Sequence, residues 1–78
     1  MVKKERNSKT SEYCKEFGEH IRRLRKEKCM SIEEIAFKAN IDAQNLRKYE
    51  LGKQEMKIGM LKRIAEAFGL SISELTDF

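Results

Sequence analysis

Five residues in the middle of this chain, Ala43, Gln44, Asn45, Arg47 and Lys48, form its best-equipped polar cluster. Four of them carry amide, guanidinium or ammonium groups, which match the hydrogen-bonding edges of bases and the oxygens of phosphates. They fall on the outward side of a short helix whose inward side is marked by Leu46 and Tyr49. Just upstream, Ile35, Ala36 and Ala39 mark one face of another short helix, and Asn40 with Ile41 makes the turn between the two. Helices joined by three or four residues cross steeply, so the residue beneath the crossing must be small, as Ala36 is. The turn needs one residue at positive φ, which Asn tolerates better than any residue except Gly. Ile32 to Leu51 therefore predicts two crossed helices, the second presenting a polar face suited to a duplex groove.

The rest of the chain must position that pair. Its 78 residues allow one small domain, and an apolar content of 40% is enough for a compact core. With no Pro, four Gly and few β-branched residues other than Ile, the composition predicts an all-α fold. No run approaches the roughly 20 apolar residues of a membrane helix. The charged N-terminus has no apolar secretory core, so a cytoplasmic protein is expected. The formal charge is +4 and unevenly placed. Lys3, Lys4, Arg6 and Lys9 face only Glu5 in the first nine residues, whereas residues 54–78 are mildly acidic. That asymmetry suits a polyanion met by one side of the molecule, although a solvated basic tail would look the same.

Metal and redox chemistry find little support. Cys14, Cys29 and the single His20 are scattered, whereas zinc needs about four clustered ligands. Cys14 falls in register with Phe17, Ile21 and Leu24 and reads as a small core residue. With one His, no clustered carboxylates on a predicted cleft and no phosphate-binding glycine loop, the chain offers no catalytic constellation, and no cofactor is expected.

Residues 1–10 are polar and aperiodic and predict a flexible basic arm, leaving 11–78 as the folded domain. Helix 1 is expected from Ser11 to Lys28, with Gly18 at a close backbone approach to another helix. Ser31 with Glu34 makes a capping box opening helix 2, Asp42 is placed to cap helix 3, and Gly52 stops it. Helix 4 follows from about Lys57 to Phe68, ended by Gly69. A second capping box, Ser71 with Glu74, opens a short helix 5. Ile72, Leu75 and Phe78 near the C-terminus predict an apolar surface for self-association, unless they fold back onto the bundle.

These marks together resemble the lambda-repressor-like helix-turn-helix family, of Cro/C1 (XRE) type, over about residues 14–78. The resemblance rests on Gly18-Glu-His-Ile21-Arg-Arg-Leu24-Arg25, Met30-Ser31-x-Glu-Glu-Ile35-Ala36, Tyr49-Glu50-x-Gly52-Lys53 and Leu61-x-x-Ile64-Ala65-x-Ala67-Phe68-Gly69-Leu70. It implies a compact five-helix bundle with helix 3 as the recognition helix. Ala43, Gln44 and Lys48 would face the major groove, with Asn45 and Arg47 flanking them. It further implies an orienting ion pair between Arg25 and Glu50. Backbone phosphates would be met by Lys53, Lys57 and the helix 2 N-terminus at Ser31. The chain departs from the family pattern at Ile32, where Gln commonly touches phosphate and buttresses the recognition helix. It departs again at Cys29 and Asn40, where Gly is usual, and at Phe37, where a polar residue is usual. Cys29 at positive φ would be strained, so a differently built turn is expected there. Phe37 is expected to prop helix 3 or to face a partner. In place of the usual Pro and Ser before helix 4 stand Glu55-Met56-Lys57, whose carboxylate would slightly weaken phosphate contact.

The function this predicts is a sequence-specific transcriptional regulator that binds a pseudo-palindromic DNA operator as a homodimer. One recognition helix reads too few base pairs to select a genomic site alone. The alternatives are a DNA-binding antitoxin with an obligate protein partner, and a protein-binding adaptor on the same fold. The polar groove-facing residues argue against the adaptor.

Overall fold

The computed structural model describes the backbone of residues 2–78 and the side chains of residues 12–78. Five helices follow one another: α1 (Val2–Glu27), α2 (Ile32–Ala39), α3 (Ala43–Glu50), α4 (Ile58–Ala67) and α5 (Ile72–Leu75). Among the described residues there is no strand. α1 begins well before the Ser11 expected from periodicity, because a polar stretch carries no apolar rhythm by which to recognise a helix. The expected arm, residues 1–10, lies outside the residues whose side chains are described.

One core joins all five helices. Phe17 and Ile21 from α1, Ile35, Ala36 and Ala39 from α2, and Leu46 and Tyr49 from α3 meet Ile64, Ala65, Phe68 and Leu75. α3 packs across α1, while α2 is wedged between α3 and α4. Gly18 allows the first of these crossings. A Cβ there would collide with the Tyr49 carbonyl oxygen and lie 2.5 Å from that of Glu50. Any larger residue would push the end of α3 away from α1.

The bundle closes at His20, which is buried and donates from Nε2 to the Leu75 carbonyl at 2.8 Å. Phe78 folds back over the same place, its ring centroid 5.1 Å from His20 and 5.4 Å from Phe17. Leu75 corrects the sequence expectation. It is fully buried within the core and has no surface to offer a second molecule. Ile72 is half-buried against that core, and Phe78 stays 44% exposed. Cys14 is likewise half-buried, and burial, reinforced by the Glu55 carboxylate, raises its thiol pKa above the ordinary value.

Candidate nucleic-acid interface

The turn between α2 and α3 sets the geometry of the site. Asn40 takes the left-handed conformation at φ 59°, and its N–H donates to the Phe37 carbonyl at 3.1 Å. The next amide, Ile41, reaches back to Ala36 at 2.9 Å, giving the paired closure of a Schellman motif. With Ala36 and Ala39 buried beneath it, α3 can cross α2 closely. At the start of α2, Ser31 Oγ accepts from the Glu34 amide at 3.0 Å while Glu34 Oε1 accepts from the Ser31 amide at 2.8 Å. Asp42 stands at the N-cap of α3, but its side chain makes no capping hydrogen bond.

α3 turns Leu46, Tyr49 and Glu50 inward. Gln44, Arg47 and Lys48 stand exposed, whereas Ala43 and Asn45 are half-buried at the edge of the helix, Ala43 packing against the core. Lys53 and Lys57, in the segment that follows, are both exposed. The polar end of α3 is fixed from behind by Arg25. Its Nε donates to Glu50 Oε2 at 2.8 Å and its Nη2 to Oε1 at 3.2 Å, while Nη1 donates to the Met30 carbonyl at 2.9 Å. One guanidinium thus holds the end of α1, the following turn and the end of α3. The hydrogen bond to Glu50 raises the Arg25 pKa, outweighing the opposing effect of burial.

Two departures from the expected pattern resolve in the structure. Cys29 does adopt positive φ, 57°, so that turn has the ordinary closure rather than a different build. The Cys29 amide donates to Lys26 and the Met30 amide to Arg25, both at 3.0 Å, the same paired bonds as at Asn40. Phe37 is 86% exposed and does not prop α3. Outside the core, a loose ion pair, Arg47 Nη2 to Glu33 Oε2 at 3.7 Å, also joins α3 to α2. Sequence reasoning did not anticipate the His20 anchor, which joins positions far apart in the chain.

A polar-faced helix fixed after a tight turn, on a bundle of this order, defines a helix-turn-helix protein. The chain belongs to the helix-turn-helix family, of Cro/C1 type, whose model matches residues 21–75. It is a DNA-binding transcription regulator. Among solved structures it is similar to the restriction-modification controller protein C.AhdI from Aeromonas hydrophila. The two are 27% identical with a TM-score of 0.77 over 80% of this chain and 94% of that one. No curated protein matches the chain in sequence. Among the described residues, no helix is long and apolar enough to cross a membrane, and no group of three or more His, Cys, Asp or Glu is placed to hold a metal ion.

Proposed function

We propose that the protein binds a two-fold DNA operator as a homodimer, each copy laying α3 in the major groove. The observation that carries this reading is the exposed row Gln44, Arg47 and Lys48 on a helix whose opposite face is locked into the core. In this reading Gln44 pairs with adenine and Lys48 with guanine, each good bidentate or paired contact worth about 1–3 kcal/mol of discrimination. Ala43 and Asn45 bound the reading face, where Ala43 gives a small apolar contact and Asn45 reaches a base or its sugar-phosphate. Ser31 with the first amides of α2, together with Lys53 and Lys57, meets backbone phosphates. The half-buried Ile72 and the exposed ring of Phe78 supply the surface by which two copies associate, on a helix that packs chiefly against α4. The likeness to a restriction-modification controller favours an operator-binding regulator over a protein-binding adaptor.

Selection of sites from a random duplex pool with the purified full-length protein tests the proposal. The expected outcome is a two-fold site whose half-sites lie about one helical turn, 34–36 Å, apart. On that site Gln44→Ala and Lys48→Ala relax preference at particular base pairs, and Lys53→Ala weakens all sequences about equally. Equal losses on every sequence from all three variants would mean that α3 does not read bases.

A further inference from the structure

Between α1 and the recognition helix lies a cleft of about 230 Å³ lined by Arg22, Arg25, Ile32, Arg47, Glu50 and Leu51. Three arginines and one carboxylate line it, and only Arg25 pairs with that carboxylate. Glu50 is satisfied on both oxygens by Arg25, whose remaining Nη1 is taken by Met30, so this pair forms a neutral, fixed floor. The other two arginines remain available. Among the described residues, Arg47 meets only the Glu33 carboxylate, at 3.7 Å, with both side chains more than half exposed. Among the described residues, no carboxylate lies within salt-bridge distance of Arg22. Ile32 and Leu51 add apolar walls, which focus the field of the surplus charge. Ile32 is also the first residue of α2, which brings a third helix to the cleft.

We infer that this cleft seats one phosphodiester of the DNA backbone, gripped by Arg22 from α1 and Arg47 from α3. The inference rests on the DNA-binding reading above and deepens it. Arg47 becomes a backbone anchor, leaving Gln44 and Lys48 as the base readers. Guanidinium groups suit the task because their forked donors match two phosphate oxygens. The clamp also makes up for Ile32, whose side chain can hydrogen-bond no phosphate. By bridging two helices through one bound group, it sets the angle at which α3 enters the groove.

The test is fluorescence anisotropy of the full-length protein with a selected duplex and an unrelated duplex, across a salt series. Arg22→Ala and Arg47→Ala should each weaken both duplexes about tenfold at near-physiological salt. Each should also flatten the dependence of log affinity on log salt by about one unit. The double variant should lose less than the product of the single losses, because both side chains hold the same phosphate. Arg23→Ala, beside Arg22 on α1 but outside the cleft, should leave the slope unchanged. An unaltered slope in Arg22→Ala, or an Arg47→Ala loss confined to certain base pairs, overturns the clamp while leaving DNA binding intact. If the unaltered protein binds neither duplex, the DNA-binding reading fails first. Arginine side-chain NMR spectra with millimolar inorganic phosphate then settle the cleft. Shifts at Arg22 and Arg47 there would mark a site for a small free phosphate, and their absence would mark no anion site; either overturns the assignment to DNA.

Discussion

At Arg25 one guanidinium closes three contacts, two to Glu50 and one to the Met30 carbonyl, with side-chain exposures of only 11% for Arg25 and 5% for Glu50. An ion pair this enclosed need not add net stability over an apolar pair, yet removing one member strands the other. Arg25→Ala should therefore cost about 3–5 kcal/mol, read as a lower urea midpoint with an unchanged m-value. A loss below about 1 kcal/mol would place the pair in the class of solvated surface bridges. The polar row on α3 could be anticipated from the chain, because Leu46 and Tyr49 declare which side of the helix points inward, whereas the ion pair was legible only through the family resemblance. The Arg22–Arg47 cleft could not. Its members come from different helices, and only the crossing of α1 over α3, permitted by Gly18, brings them together.

Four helix ends share one closure. At Cys29, Asn40, Gly52 and Gly69 a residue at positive φ sends its amide back three residues, and the next amide reaches back five. Gly and Asn at three of these ends announced themselves in the sequence. Cys29 did not, because a non-Gly residue in that conformation costs roughly 1–2 kcal/mol and is held there only by the surrounding structure. The helix starts divide in a similar way. Ser31 and Ser71 each make a complete capping box, as their Glu partners three residues on imply, whereas Asp42 sits at an N-cap without bonding an amide. Ser31→Ala should thus lower stability by about 1 kcal/mol, whereas Asp42→Ala should change it by less than about half that. Thermal melts of the two variants side by side check this contrast. An equal loss at both positions would mean that Asp42 caps α3 in solution.

The C-terminal residues close the bundle and also carry the surface proposed for association. Leu75 holds α5 in the core, its carbonyl takes the His20 hydrogen bond, and Phe78 lays its ring over His20, Phe17 and Tyr13. Hydropathy marked Ile72, Leu75 and Phe78 alike, but a helix of four residues can turn only part of its surface inward. Leu75 took the inward position, leaving Ile72 half-covered and Phe78 partly in solvent. The two roles separate by substitution. Leu75→Ala removes a fully buried side chain and should cost about 2–5 kcal/mol, so it tests folding and not association. Ile72→Glu combined with Phe78→Glu instead places charge on the surface proposed to join two copies. That variant should keep its helical circular dichroism and sediment as a monomer at concentrations where the unaltered protein sediments as a dimer. It should also bind a single half-site while losing the tight binding that two linked half-sites provide, since each recognition helix alone spans too few base pairs. A dimer that survives both charges would move the association surface off α5, and operator binding by α3 would then require a two-fold axis elsewhere on the bundle.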